Sequence, residues 1–248
     1  METQRNDNSG LAYRFKAKSG KLLIGFIEYF ISRNCENIPV LKSEDFEFTK
    51  LFEQNYDAVR NEFENFKGVR PDINSISHEQ RDFVEFNKWK FLPLYIYGNA
   101  IEENLNACPK TAALLKQIPN LTTAFFSSID SGTHIKPHRG AYKGYLRFHF
   151  GVDIPATDDT CTIRIEDKLY HWRNGKSLIF DDTFVHDVWN ETGKERTVLY
   201  VDFIRPMPSY LVVISKALTK LISKSPYIQN ALRNLKNGNS EFMRKALG

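Results

Sequence analysis

The chain has 248 residues, of which 42% are hydrophobic, 26% charged and 13% aromatic, a folded composition whose length suits one domain of the all-β or barrel kind. Thirty-four basic residues against 30 acidic leave a net charge of +4, too slight and dispersed for a nucleic-acid-binding stripe, so no nucleic-acid partner is expected. Three cysteines, Cys35, Cys108 and Cys161, are odd in number and far apart, which excludes a disulfide framework or a cysteine zinc site and fits a reducing cytoplasm.

Residues 1–20 are polar and without apolar periodicity, so a loosely docked, flexible terminus is predicted. Leu22 to Ile31 follows basic residues as a signal peptide or anchor would, yet it is ten residues long and contains Glu28, too short to span a bilayer. Two readings stand: a buried or amphipathic helix, or a helix lying on a membrane surface. From Ser43 to Phe66, the apolar residues Phe46, Phe48, Leu51, Phe52, Val59, Phe63 and Phe66 recur at three- and four-residue steps, which predicts one amphipathic helix. Pro71, Asn74 and Ser75 mark a loop, and residues 89–99 read as a strand. Pro109 opens a further helix whose buried side is Ala112, Leu114, Leu115 and Ile118, ending at Pro119.

Residues 21–120 thus form a helical and mixed lead-in, and 121–208 change to short strand-like runs: TTAFFSSI, GYLRFHFGV, CTIRIED, KSLIFDD, HDVWN and RTVLYVDFI. Their number and spacing predict a double-sheet jelly roll, a mainly β fold with helices (α+β) in a single domain over 21–208. A helical tail over 209–248 sets Leu211, Val212, Ile214, Leu218, Leu221 and Ile222 against Lys216, Lys220 and Lys224. Such a stripe packs on the roll or across a homodimer, or makes peripheral contact with an anionic membrane.

His134, His138, His149, His171 and His186 fall inside the strand-rich half, with His138 and His186 at strand-edge or turn positions. A mononuclear iron(II) site needs imidazoles on one face of the metal and open positions opposite, which a roll can supply from distant strands. A carboxylate two residues after the first histidine completes the usual triad, but Gly140 stands there. Read alone, each histidine serves as well for a surface or hydrogen-bonded imidazole.

The runs CPKTAALLKQIPN (108–120), SGTHIKPHRG (131–140), LRFHFGVDIP (146–155), FDDTFVHDVWNET (180–192) and RTVLYVDFIRP (196–206) resemble the aspartyl/asparaginyl β-hydroxylase family of iron(II)- and 2-oxoglutarate-dependent oxygenases. The likeness covers roughly two-thirds of the chain and includes features of lipid A hydroxylase-like members. It implies a two-histidine metal site at His138 and His186, so that Gly140 matches the pattern. It implies Arg196 as the fork for the distal carboxylate of 2-oxoglutarate, with Ser127 in support. Arg147 and His149, on one face of a strand, are implied to face the co-substrate or the substrate, Arg147 in a catalytic capacity beside the two histidines. Asp181 and Asp182 are expected to form a turn and support the ligands, His134 and His171 to be structural, and Trp172 and Trp189 to line the core or pocket.

The resemblance further implies Fe(II), 2-oxoglutarate and O2 as reactants, with succinate and carbon dioxide released as an unactivated C–H is hydroxylated. An amino-acid, peptide or lipid-linked substrate is expected, in a cytoplasmic enzyme or one peripheral at the membrane. Two rivals remain: a cupin-like binding or sensing protein without turnover, and a halogenase that admits halide at the missing carboxylate.

Overall fold

A computed structural model of the chain describes residues 22–73, 84, 85 and 88–235. The polar start over 1–20, the loop residues Asn74 and Ser75, and the end of the tail from 236 onward lie outside the described residues. The first helix, α1, spans 22–34. It is followed by β1 (Val40–Leu41), a 3-10 turn (Ser43–Asp45), α2 (Glu47–Gln54) and α3 (Tyr56–Asn65). The single helix expected over 43–66 is therefore broken, because Asn55 leaves helical geometry at φ −112° and ψ 23°. Its side chain bonds back to the Leu51 carbonyl at 2.8 Å, the local competition with helix that asparagine offers.

β2 (Trp89–Ile96), β3 (Asn99–Ala100), α4 (Glu102–Ala107) and α5 (Pro109–Leu115) follow, with Pro109 in the first turn of α5. Then come β4 (Leu121–Ile129), β5 (Thr133–His138), β6 (Tyr145–Asp153), β7 (Cys161–Ile165), β8 (Lys168–His171), β9 (Ser177–Phe180), β10 (His186–Asn190) and β11 (Arg196–Ile204). The chain ends in α6 (Ser209–Ser223) and a helix, α7, over 226–235.

The strands form two antiparallel sheets, one ordered β1-β9-β6-β11-β4-β2-β3 and the other β5-β10-β7-β8. This is the jelly roll expected from the strand pattern, and the larger sheet also recruits β1, β2 and β3 from before residue 121. Period-two alternation sorts the larger sheet's side chains into two cores. Phe126, Phe148, Phe150, Leu199 and Phe203 face outward and pack beneath Phe48 and Phe52 of α2, with ring centroids 5.3 Å apart for both Phe48–Phe148 and Phe52–Phe148. Burial of each such ring contributes on the order of 2–3 kcal/mol, which fixes the helices on the sheet's back. The other face meets the smaller sheet through Ile129, Phe180 and Val198 against Ile135, Ile163, Ile165 and Val188. The functional side chains lie on this inner face.

The tail departs from its expected pattern. In α6 the buried positions are Leu211, Ser215 and Thr219, while Ile214 and Leu221 point to solvent, Leu221 at 70% exposure. Hydroxyls make this seam: Ser215 Oγ lies 2.7 Å from Tyr142 Oη and Thr219 Oγ1 2.7 Å from Tyr145 Oη. Helix α1 buries Ile27 and Ile31 in the same cluster as Tyr142 and Leu211.

Candidate active site

The smaller sheet brings His138 and His186 together. They are register partners at the end of β5 and the start of β10, beside a bulge between His186 and Val188, and their ring centroids are 4.3 Å apart. Each imidazole is oriented by a carbonyl two residues earlier: His138 Nδ1 lies 2.8 Å from Lys136 O and His186 Nδ1 2.9 Å from Phe184 O. Those contacts require Nδ1–H, so Nε2 carries the lone pair in both rings, the tautomer a metal needs. Burial lowers the pKa of His138; burial with the charges of His138 and Arg147 nearby pushes His186 down to about 3. Both are neutral near pH 7, ready to ligate.

Phe180 connects this pair to the larger sheet, packing edge-on against His186 at 5.6 Å and against His149 at 5.1 Å. His149 stands in a row across the sheet with Leu178, Tyr200 and Phe125. Its Nδ1 accepts the indole N–H of Trp172 at 3.3 Å, so its Nε2 carries the proton, buried and without an acceptor among the described residues. Burial, with the charges of Arg147 and Arg196, holds its pKa well below the usual histidine value, leaving a neutral N–H donor on the inner face.

Arg196 opens β11 on the same face as Tyr200 and Asp202. It is 1% exposed, its guanidinium stacks on Trp172 at 4.2 Å, and its Nε and Nη1 have no hydrogen-bond partner among the described residues. Burial pushes its pKa down to about 10. A desolvated cation with orphaned donors is costly unless an anion completes it. These donors and His149 Nε2–H fit an acidic co-substrate such as 2-oxoglutarate, and the two neutral imidazoles fit a divalent metal. Among the described residues, no three His, Cys, Asp or Glu side chains converge as a metal cluster; a metal bound here would take His138 and His186 as its protein ligands. Ser127 is buried beside Val198 on this face, and its hydroxyl accepts the indole N–H of Trp89 at 2.9 Å.

Arg147 is placed on this face, but its fork is committed. It bonds Asp182 at 2.7 Å and Asp202 at 2.9 and 3.2 Å, and lies over the Tyr200 ring at 4.3 Å. Burial alone would lower its pKa; Asp182 and Asp202 outweigh burial and raise it well above the usual value. Asp182 feels burial first, then shares Arg147 with Asp202, and is pushed up to about 6. Its carboxylate occupies the space beside Gly140: a Cβ there would come well under 3.0 Å from Asp182 Cγ and both oxygens. The missing side chain at 140 thus makes room for a carboxylate from elsewhere, and a halide in that space would meet an anion.

Asp181 forms the expected turn, accepting Thr183 N–H and Oγ1–H at 3.0 and 2.6 Å, and pairs with Lys143 and Arg205. Burial opposes its ionisation, but Arg205, Thr183 and Lys143 prevail and lower its pKa. His134 and His171 pair with Asp187 and Asp159, away from the cleft. Trp172 is a buried core residue, one of the two roles expected of it, and stacks under Arg196. Trp189 is not: it lies half-buried outside the smaller sheet, stacked on His134 at 4.7 Å beneath Arg164 at 5.2 Å, because its neighbours in β10 point inward. Asp202 and Trp89 were absent from the sequence-derived site. Asp202 shares the face of Arg196 at even spacing, the one signal that could have named it.

The two-sheet roll thus carries a histidine pair at one end of its inner face and a buried arginine with unpartnered donors farther along it. The Aspartyl/Asparaginyl beta-hydroxylase family model matches residues 53–206, and the chain belongs to that family. It is similar to an ornithine lipid ester-linked acyl 2-hydroxylase of Rhizobium tropici, 37% identical over 213 residues that cover 85% of this chain and 76% of that protein. It is also similar to the human aspartyl/asparaginyl beta-hydroxylase, 31% identical over 169 residues, 64% of this chain but 21% of the human protein. The aspartate beta-hydroxylase domain-containing protein 2 of Xenopus tropicalis is 26% identical over 166 residues, 63% of this chain and 44% of its own length. The chain thus spans less than half of either vertebrate protein. With hydroxylases among its relatives, it is an enzyme of the hydroxylase type. Among the described residues, no helix is long and apolar enough to cross a membrane.

Proposed function

We propose that this chain is an iron(II)- and 2-oxoglutarate-dependent hydroxylase whose substrate is an ester-linked acyl chain of a lipid. The orphaned Nε and Nη1 of buried Arg196 carry the co-substrate reading: a planar carboxylate would satisfy a fork that is otherwise uncompensated. His138 and His186 would hold the metal through Nε2, and His149 Nε2–H would donate to the bound co-substrate or substrate. When bound, the metal and co-substrate supply the O2 chemistry that attacks an unactivated C–H. The protein orients the reactants, excludes water with Phe180, Trp172 and Tyr200, and keeps both imidazoles unprotonated.

The acyl substrate is favoured over an aspartyl or asparaginyl one because Arg147, a second cation on the inner face, has its fork taken by Asp182 and Asp202. The walls beside His149 are aromatic, as an apolar chain requires. The likeness to the acyl hydroxylase also reaches over more of the chain. The test is anaerobic loading with Fe(II) and 2-oxoglutarate, then O2 with an amino-acid-containing ester lipid. Succinate should form together with lipid carrying one added oxygen on the ester-linked chain. Succinate coupled instead to an Asp- or Asn-containing peptide refutes the substrate; no dependence on Fe(II) or 2-oxoglutarate refutes the chemistry.

A further inference from the structure

Helices α1 and α6 are apolar on two faces. The inner faces share one cluster, with Ile27 and Ile31 of α1 against Leu211 of α6. The end of α1 meets the start of α6, where Cys35 Sγ is 3.9 Å from Pro206 O. On the opposite side of α1, Leu22, Leu23, Phe26 and Tyr29 are 70, 61, 63 and 54% exposed, and Phe30 joins them at helical spacing. On α6, Tyr210, Val213, Ile214 and Leu221 are exposed in the same way. Scattered single apolar residues on a surface are ordinary; nine exposed on two helices that share one buried cluster call for a partner.

We propose that these two helices are a docking surface for an anionic lipid bilayer, a role that deepens the lipid-acyl reading and rests on it for its purpose. Charge selects this occupant. Helix α6 carries Lys216 and Lys220 and is capped by Lys224, all exposed, with no acidic residue in the helix. Arg33 adds a cation over Tyr29 at 5.3 Å, and the one carboxylate of α1, Glu28, is turned inward to accept the Lys143 N–H at 2.9 Å. A second copy of the chain would set one lysine row against another, whereas an anionic leaflet neutralises it. Apolar side chains entering the acyl boundary and lysines at the headgroups are the two weak contributions that together hold an interfacial helix.

The surface adjoins a cavity lined by chain neighbours of the candidate metal ligands. A cavity of about 330 Å³ runs from Glu28, Tyr29 and Ser32 of α1 to Arg139, Thr183 and Phe184. Arg139 follows His138, and the Phe184 carbonyl orients His186. A lipid reaching this cavity would meet residues that flank both histidines in the chain.

Docking is tested with the full chain and vesicles containing no hydroxylatable substrate, either phosphatidylcholine alone or mixed with phosphatidylglycerol. The protein should sediment with the mixed vesicles and be released by salt. Leu23→Asp with Phe26→Asp, and Val213→Asp with Leu221→Asp, should each weaken binding roughly ten-fold or more. Charge reversal of Lys216, Lys220 and Lys224 should weaken it by at least about five-fold per lysine. Circular dichroism checks that these surface variants stay folded, and turnover on detergent-dispersed lipid should persist in them. Wild-type protein that stays in the supernatant, or variants that bind as well as wild type, overturns the proposal, as does a dimer that the same substitutions dissociate. Vesicle binding without hydroxylation of any lipid leaves docking intact and removes the acyl-hydroxylase reading instead.

Discussion

Gly140→Ala adds one methyl group, and the structure gives it nowhere to go. Gly140 lies outside the left-handed backbone region, so alanine meets no backbone strain and its cost is one of space. The new Cβ would fall well under 3.0 Å from the Asp182 carboxylate, which is 6% exposed and held by Arg147 at 2.7 Å. Asp182 must break that ion pair or the backbone must shift, and overpacking of this sort costs about 1–3 kcal/mol. A double-mutant cycle isolates the clash: Gly140→Ala should lose about that much in urea unfolding when Asp182 is present and close to nothing in an Asp182→Ala background. Equal losses in both backgrounds would refute the reasoning. The same geometry signs a second outcome: Gly140→Asp, although it writes the missing carboxylate triad into the sequence, should lower metal affinity rather than raise it, because two carboxylates would compete for one buried space.

His138→Ala and His186→Ala should each abolish iron-dependent succinate formation with the circular dichroism of the fold retained, since two ligands leave no spare; turnover in either variant removes the metal assignment. Arg196→Lys should raise the half-saturating 2-oxoglutarate concentration roughly ten- to a hundred-fold as a fork becomes a point charge. Arg196→Met should instead melt at a higher temperature than the wild-type apoprotein while losing the thermal shift that 2-oxoglutarate gives; a lower apoprotein melting point contradicts the orphaned-charge argument. The pH dependence of metal-free stability has opposed contributions. The folded pKa of His186, about 3, is below its unfolded value near 6.5, so its stabilisation is present above about pH 6.5 and lost as pH falls towards 3. Asp182, raised to about 6, binds its proton in the folded state first and offsets that loss between about pH 6 and 4. Asp182→Asn should therefore steepen acid destabilisation in that window by about 1.4 kcal/mol per pH unit, measured by urea titration, and an unchanged slope contradicts the raised pKa.

The strands of the roll were legible because their alternation is strong: TTAFFSSI and RTVLYVDFI became β4 and β11, neighbours paired along most of their length. β5 was not, since Pro137 and Lys136 interrupt it and few of its side chains are buried, although it ends in His138. Helix α4 was missed for a similar reason: six residues, EENLNA, carry too little periodicity to register. The two-histidine pair was legible only through family resemblance, because nothing in spacing says that residues 138 and 186 are register partners across two strands. Arg147 shows the limit of position without partners. Its face was correctly read, but its commitment depends on Asp182 and Asp202, which approach from a turn and another strand and leave no local trace. The same holds for α6, where Ile214 and Leu221 match a buried stripe by spacing, yet Ser215 and Thr219 take the inner face through hydroxyl pairs with two tyrosines.

The distribution of buried charge ties these features to the proposed chemistry. Arg147, Asp182 and Asp202 sum to one net negative charge when all are ionised, and Asp182 brings it beside Gly140, two residues from His138. Arg196, farther along β11, is one uncompensated positive charge. His138, His186 and His149 add none, since burial keeps all three neutral. At the histidines the charge of Arg147 is one of the causes, after burial, that lower both pKa values, so it is the neutrality of the imidazoles rather than a local negative field that would leave them able to take a metal. At the other end, the charge of Arg196 acts at reduced dielectric and is felt over several ångströms, so a distal carboxylate would be drawn there before any contact with its carbon chain is considered. That charge, rather than the fold, is the feature that fits an acidic co-substrate.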